Sequence, residues 1–313
     1  MRDVSHKINT LREAVAQAEL RVAPESIAAI REGRVPKGDP LPVAKVAAVQ
    51  AAKNTPLLIP YCHPVPVDFV GVEFDLGEDR IVVTTTVKAI YKTGVEMEAL
   101  SAASAAALNL YDILKPIDET LEITGVKLLS KKGGKSDWHR TPRGSIRAAV
   151  IVSSDSIAAG RKRDLSGLAI RERLEREGIE VVDYRILPDE PEVLEEALRN
   201  CSDRDGLNLV VTTGGTGFGP RDNMPEVMHR IVEREAPGIA EAMRAYGQQR
   251  TPYSMLSRGV AGIRGRTLFV NMPGSRGGVA DSLDAVMPHL LHAFKMLRGE
   301  GHSEKEKRDV SGG

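Results

Sequence analysis

From residue 147 to residue 298 the chain alternates short β-branched runs with stretches of helical period, and that alternation leaves few folds open. The pattern predicts strands over 147–153, 180–187, 207–212 and 267–271, and helices over 165–177, 192–201, 225–235, 238–248 and 278–298. Strands and helices taken in turn, with short loops between them, bury both faces of a parallel sheet. This half is therefore expected to be an α/β domain of three layers with a doubly wound sheet. Ligands of such sheets bind beyond the carboxyl ends of the strands.

The first half lacks that alternation. Residues 43–53 and 95–115 have helical periods, the second rich in alanine, and 69–76, 80–88 and 121–129 read as strands, with a hairpin turn over 76–80. Helices against antiparallel strands predict an α+β sandwich. The polar segment KKGGKSDWHRTPRGS at 131–145 reads as the junction, so the domains are expected at 1–140 and 141–299. The charged end EGHSEKEKRDVSGG, 300–313, is expected to be disordered. The kind of basic residue also changes: residues 1–143 hold 11 Lys and 8 Arg and residues 144–313 hold 4 Lys and 20 Arg, which points to two units of separate origin.

Lysine plus arginine, 43, equal aspartate plus glutamate, 43, so the chain lacks the overall charge of a nucleic-acid binder. Aromatics at 4% argue against a base-stacking platform. Two cysteines, Cys62 and Cys201, cannot build a disulfide framework or a cysteine zinc site, which fits a reducing, cytoplasmic setting. No run has the ~20 apolar residues of a membrane span, and the first ten residues lack the apolar core of a signal peptide.

The richest stretch for chemistry is TTGGTGFGPRD at 212–222, after the apolar LNLVV. Glycines there let main-chain amides approach an anion, although neither the Walker spacing nor GxGxxG is present. A second small-residue turn, NMPGSRGG, follows the strand over 267–271, so two anion-accepting turns lie at strand ends and suit a nucleotide. Asp155, Asp164, Asp189 and Asp222 flank these loops. A carboxylate in such a place is either a cap or turn residue or a magnesium ligand, with Asp189 and Asp222 the favoured ligands and Asp164 equally a cap. The ordered set SSDS, GRKRDLSG, ILPDE, TTGGTG with RD and PE, LSRGVAG and TLFVNMPGS resembles the MogA/MoaB family of molybdopterin-binding proteins over about 145–299. That resemblance implies the molybdopterin-binding fold and transfer of AMP from Mg-ATP to the terminal phosphate of molybdopterin, with pyrophosphate released. It makes Asp189 and Asp222 the catalytic and magnesium-holding residues. Gly214, Gly215, Thr216, Gly217 and Ser275 line the ligand cleft. Asn223-Met224-Pro225 departs from the family's usual Thr-Pro after RD.

In the first half, Lys37 sits in a Lys-Gly-Asp loop, and His63 lies in LIPYCHPVPV, where prolines stiffen the chain. A lone histidine in such a loop is more often structural. Asp112 and Lys115 are three apart and share a helix face, either as a solvated ion pair or as an acid–base pair, with the lysines from 131 onward expected nearby. Glu96 and Glu98, two apart, can serve one pocket only where the chain is just entering its helix. The set DVS.K..T.R.A.A, KGD, QAAK.T, LIP.CHP, KTGVEMEAL.AAS.AAL..YD..K and GGKS resembles MoaC, the cyclic pyranopterin monophosphate synthase, over about 1–137. This implies a ferredoxin-like α+β sandwich and conversion of a 3′,8-cyclo-dihydroguanosine triphosphate into cyclic pyranopterin monophosphate and pyrophosphate, with no permanently bound cofactor. Asp112 and Lys115 become the central acid–base pair. Lys37, Tyr61, Cys62, His63, Glu96, Met97, Glu98 and Lys131 become pocket residues. Tyr61 stands where the family commonly has Leu, and Ile90-Tyr91 where it has Thr-Gly.

Glu98 and Asp112 lie fourteen residues apart, which on a straight helix is roughly 21 Å. One small-molecule pocket does not span that distance within one chain. The first domain is therefore expected to be a homo-oligomer in which Glu96 and Glu98 of one subunit meet Asp112 and Lys115 of another. Together the two resemblances imply a bifunctional protein of molybdenum cofactor biosynthesis that takes small-molecule substrates, uses ATP and Mg2+ in its second domain, and engages neither nucleic acid nor membrane. The rival expectation is a second domain that binds pterin as a scaffold without adenylylating it.

Overall fold

The computed structural model describes residues 1–134 and 145–299 and divides into two compact units, Met1–Trp138 and His139–Gly313. Most of the expected junction and the whole of the 300–313 end lie outside the described residues, whereas Lys131 and Lys132 belong to a strand.

The first unit runs β1 (Thr10–Arg21), α1 (Pro24–Arg31), α2 (Pro40–Lys53), the single turn α3 (Thr55–Leu58), β2 (Phe69–Leu76), β3 (Arg80–Tyr91), α4 (Glu96–Leu114) and β4 (Glu122–Lys132). Its sheet is antiparallel throughout, in the order β2-β3-β1-β4. The β2–β3 hairpin closes where the turn residues predict it, with Leu76 opposite Ile81 and the Gly77 N–H donating to Arg80 O at 2.9 Å. Strand β1 has no counterpart among the expected elements. Its inward positions are Ala14, Ala16, Ala18 and Leu20, all fully buried, so the period of two is real but carries little of the β-branched composition that marks a strand. Helix α2 starts at Pro40, three residues before the expected point, because Asp39 caps it by accepting from the Leu41 N–H at 3.0 Å and proline suits a first turn.

Helix α4 lies across β1, β3 and β4 and alongside α2. Its buried face is Ala99, Ala102, Ala103, Ala106 and Ala107, whose short side chains let the neighbours come close to its backbone. The buried Thr85 hydroxyl on β3 reaches that backbone directly, donating to Ala99 O at 2.8 Å.

The second unit comprises β5 (Arg147–Ser153), α5 (Asp155–Ala158), α6 (Ser166–Arg176), β6 (Glu180–Leu187), α7 (Pro191–Asp203), β7 (Leu209–Thr213), α8 (Met224–Ile231), β8 (Arg234–Glu235), α9 (Pro237–Gln248), a 3-10 turn (Pro252–Leu256), β9 (Ala261–Arg264), β10 (Thr267–Met272), α10 (Arg276–Val286), a second 3-10 turn (His289–His292) and α11 (Ala293–Leu297). The sheet order is β6-β5-β7-β10-β9-β8. The first four strands are parallel, β9 runs antiparallel to β10 and β8 antiparallel to β9, so the sheet is mixed. On one face Ala149, Ile151, Val210 and Phe269 pack against Leu198 of α7 and Val227 and Met228 of α8. Val150, Val152, Val211 and Val270, of the other parity, are equally buried, and α6 and α10 cover that side.

Two expected helices are shorter than their patterns. The one expected over 225–235 ends at Ile231, and Arg234–Glu235 turns into an edge strand paired with β9. The one expected over 278–298 ends at Val286, because Pro288 offers no N–H to carry the helix on.

Candidate functional site

In the first unit the predicted residues gather at the two ends of α4. At its start Val95 is the N-cap, so Glu96 and Glu98 both belong to the first turn. The Glu96 carboxylate folds back over Gly94, where an added Cβ would stand 1.9 Å from Oε2, and accepts from Lys131 Nζ at 3.1 Å. Lys131 therefore sits with Glu96, at the other end of the helix from the Asp112–Lys115 pair it was expected to join, because β4 carries it back along the sheet. Glu98 is 3% exposed. Burial pushes its carboxyl above the usual carboxylate range, and the neighbouring Glu96 charge adds to the shift. The Cys62 thiol is also raised, by burial and then by Glu98, so Cys62 and both glutamates share one field. Next to Cys62, Tyr61 is exposed and His63 partly buried, with His63 within electrostatic reach of Asp3; Met97 is exposed.

A cavity of about 460 Å³ opens beside Glu96 and Lys131, lined also by Arg2, His6, Lys7, Arg12 and Lys132. Its basic lining suits a polyphosphate. Of these, Lys7 and Arg12 are fixed letters of the DVS.K..T.R spacing and could have been singled out from it; Arg2, His6 and Lys132 carry no such signal. Arg12 also braces the chain nearby: its guanidinium donates to Tyr91 O at 3.2 Å and to Lys92 O at 3.4 Å, holding the strand end that leads into Gly94.

At the far end of α4, Lys37 and Lys115 converge on Asp112. Lys37 Nζ is 3.0 Å from Oδ2 and 2.9 Å from the main-chain oxygen, and Lys115 Nζ is 2.5 Å from Oδ1. Gly38, at φ +90°, makes the turn that brings Lys37 there. The hydrogen bonds from Lys115 and then Lys37 hold the Asp112 carboxyl below the usual range, and Asp112 in turn raises Lys115. At neutral pH the aspartate is anionic and the lysine cationic. All three side chains are about half exposed. Helix α4 is continuous, so one chain does not bring its two ends together.

In the second unit the predicted residues lie at the carboxyl ends of β5, β6, β7 and β10. Asp155 and Asp189 grip each other: the Asp155 N–H donates to Asp189 Oδ2 at 2.9 Å and the Asp189 N–H to Asp155 Oδ1 at 3.0 Å. Ser153 Oγ donates to Asp189 Oδ1 at 2.5 Å. Arg221 closes this cluster, bonding both Asp155 oxygens at 2.9 and 3.0 Å and Glu190 at 2.8 Å, and its hydrogen bonds hold the Asp155 carboxyl low. Asp222 folds into its own loop, accepting from the Gly219 N–H at 2.8 Å. The loop must be glycine where it meets β5: Gly214 has φ +99°, and a Cβ there would stand 2.2 Å from Ser153 O.

The two small-residue turns meet, since a Cβ on Gly274 would come within 3.2 Å of Gly214 Cα. Ser275 caps α10 by accepting from the Gly278 N–H at 3.1 Å. It also lines a cavity of about 150 Å³ with Arg244, Tyr253 and Asp281. Thr216 is buried, and Gly215 is the loop's other residue of positive φ. Asp164 is engaged at the start of α6, one residue before its N-cap Leu165: it accepts from the Gly167 N–H at 2.8 Å and from the Tyr184 hydroxyl. Arg258 and Asn271 are letters of the LSRGVAG and TLFVNMPGS motifs and could have been singled out from them, but the spacing gives neither a role. Arg258 is bonded to the glycine loop, and Asn271 Nδ2 donates to Thr212 Oγ1 at 2.9 Å and Gly214 O at 3.3 Å beneath it.

Among the described residues no three His, Cys, Asp or Glu side chains converge as a metal-holding group. One or two carboxylates per ion are nonetheless what magnesium takes when substrate phosphates supply the rest. Asp189, just after β6, and Asp222, in the loop after β7, lie on the same carboxyl edge of the sheet on either side of β5, and carboxylates so placed fit that use. Among the described residues no helix is long and apolar enough to cross a membrane.

Known proteins cover both units. The MoaC family model matches residues 1–134, and that of a probable molybdopterin binding domain matches residues 149–292. A molybdenum cofactor biosynthesis bifunctional protein of Chlorobaculum tepidum is 42% identical over 97% of this chain and 96% of its own length. A cyclic pyranopterin monophosphate synthase of Pelobacter propionicus is 50% identical over 46% of this chain and 91% of its own. The crystal structure of the molybdopterin biosynthesis enzyme MoaB from Thermus thermophilus is 47% identical and covers 49% of this chain and 97% of that one, with a TM-score of 0.47.

Proposed function

The chain belongs to the family of bifunctional molybdenum cofactor biosynthesis proteins, its first unit homologous to cyclic pyranopterin monophosphate synthases, and from that premise we propose how its residues divide the work. Residues 1–140 convert the cyclised guanosine triphosphate derivative into cyclic pyranopterin monophosphate and pyrophosphate. Residues 141–299 transfer AMP from ATP to molybdopterin. The β1-α-β2-β3-α-β4 order with antiparallel neighbours β2-β3-β1-β4 supports a ferredoxin-like sandwich for the first domain.

The observation that carries the first reading is the convergence of Lys37 and Lys115 on Asp112. Asp112 is held as an anion and takes the substrate proton; Lys115 is held as a cation and gives one back. Lys37, bonded to Asp112 through both side chain and main chain, fixes the direction of the carboxylate. Lys131 and the basic cavity beside it take the triphosphate, and Glu96, Met97, Glu98 and the Tyr61–His63 segment hold the purine-derived ring. Because α4 keeps the two groups apart, a working pocket joins the Glu96 end of one subunit to the Asp112 end of another. The first domain is thus a homo-oligomer.

In the second domain the amides of Gly214, Gly215, Thr216 and Gly217 cradle phosphate, and Ser275 holds the pterin phosphate. Asp189 and Asp222 would hold Mg2+, which neutralises charge on the transferring phosphate when bound. A terminal phosphate oxygen of molybdopterin attacks the α-phosphorus of ATP, and pyrophosphate leaves. The setting is cytoplasmic, with no nucleic-acid partner.

The test supplies each substrate separately to the purified full chain. Pyranopterin product is expected in the first assay and lost in Lys115→Ala; turnover surviving that change sinks the acid–base assignment. In the second, ATP with molybdopterin is expected to release pyrophosphate, and Asp222→Ala to stop it. A wild-type chain that binds pterin but releases no pyrophosphate makes the second domain a scaffold.

A further inference from the structure

Residues 218–221 of the glycine-rich loop are exposed, yet the carboxylate that follows them is held in place. Asp222 Oδ2 accepts from the Gly219 N–H at 2.8 Å, and a Cβ on Gly217 or Gly219 would stand 2.7 or 2.8 Å from that oxygen. The carboxylate lies in a cup walled by main chain on two sides. That cup keeps its shape only if the chain is fixed at its entry, residue 217, and at its exit, residue 222. Both positions fall between β7 and α8, outside either element.

One side chain fixes both. Arg258 donates from Nε to Gly217 O at 2.8 Å, from one terminal nitrogen to Asp222 O at 2.5 Å and from the other to Glu226 Oε1 at 2.5 Å. Its own N–H donates to Thr216 O at 3.0 Å. The rigid fork of a guanidinium spans the mouth of the loop and ties it to α8, which a single ammonium could not do. The root of Arg258 is fixed as well: a Cβ on its neighbour Gly259 would stand 2.7 Å from Asn271 O, so the chain there runs flush with β10. Its partners in the loop are all main-chain oxygens, and Glu226 of α8 neutralises it.

We propose that Arg258 is a positioning residue for adenylyl transfer, setting where Asp222 and the loop amides meet a metal–nucleotide complex without touching substrate itself. This rests on the adenylyltransferase reading of the second domain and deepens it. In Arg258→Gln of the full chain, pyrophosphate release is expected to fall on the order of a hundredfold in kcat, with KM for ATP moving far less. Arg258→Lys recovers only part of the loss, and guanidinium ion added to Arg258→Gly restores at least about tenfold. Pyranopterin formation by the same preparations stays at the wild-type rate, and a urea transition of the second domain kept at its wild-type midpoint separates mispositioning from misfolding. A kcat within about twofold of wild type in Arg258→Gln, or a loss in Arg258→Gly that guanidinium leaves untouched, overturns the proposal. If the wild-type chain itself releases no pyrophosphate, the adenylyltransferase reading is what fails. Mn2+-ATP binding then decides the loop: Arg258→Gln must weaken it by about tenfold, and equal affinities overturn the positioning role.

Discussion

Gly94 separates what α4 needs in order to fold from what its first turn needs in order to work. In Gly94→Ala the new Cβ would stand 1.9 Å from Glu96 Oε2, 2.7 Å from Cδ and 2.9 Å from Oε1. Ordinary contact starts at 3.4 Å, so the nearest oxygen must retreat by about 1.5 Å. That retreat takes the carboxylate off Lys131, now 3.1 Å away, or drags the flexible lysine with it. The fold hardly notices. Gly94 is not among the glycines of positive φ, so alanine fits its backbone. The Glu96–Lys131 pair is partly exposed and worth about 0–1 kcal/mol. Alanine returns about 0.4–1 kcal/mol by restricting the unfolded chain. The two nearly cancel. Turnover should respond strongly, because displacing a positioned group by more than about 1 Å costs on the order of a hundredfold. Thermal unfolding and pyranopterin formation, measured on one preparation, should give an unchanged midpoint and a rate down about a hundredfold. A rate within about threefold of wild type, or a loss of rate only in proportion to lost stability, refutes the reasoning.

Glu98→Gln should raise the unfolding midpoint near pH 8 while abolishing pyranopterin formation. The folded chain holds the Glu98 proton to higher pH than the unfolded one, so ionisation costs stability as pH rises past the ordinary ~4.3. Melting curves of variant and wild type should converge below that pH, and a difference that persists there contradicts the burial argument. Arg221→Gln removes a resident cation from Asp155 and Glu190. Affinity for Mn2+ without nucleotide, read by electron paramagnetic resonance, should tighten by about tenfold, and no change would mean that the metal binds elsewhere. Gly214→Ala meets Ser153 O at 2.2 Å and a φ of +99°, so urea should unfold the second domain with about 1–3 kcal/mol less stability while pyranopterin formation persists.

How legible these features are in the sequence depends on how local their cause is. The β2–β3 hairpin rests on alternation and a turn that lie within a dozen or so residues of one another. Strand β1 rests on alanines that are buried only because α4 lies over them, and alanine alternation looks like no strand. Strands β8 and β9 have two and four residues, too few for any period to show. The Asp112–Lys115 pair follows from helix spacing, but the third member, Lys37, comes from a loop 75 residues away. That Lys131 meets Glu96, at the start of α4, is not legible in the sequence, because it depends on where an antiparallel strand 35 residues further along the chain comes to lie. The role of Arg258 is the hardest to read: its motif marks the position, but it acts on main-chain oxygens 36 and 41 residues distant, which any residue type supplies.

The unbroken course of α4 has a genetic consequence. If each pocket draws on the start of one α4 and the end of another, every subunit carries two half-sites that serve different partners. A chain crippled at Glu98 and a chain crippled at Asp112 would each be dead alone. Unfolded together and reassembled, they would form about one intact pocket in four by random pairing. Two null alleles of one gene could then complement each other, as alleles of different genes ordinarily do.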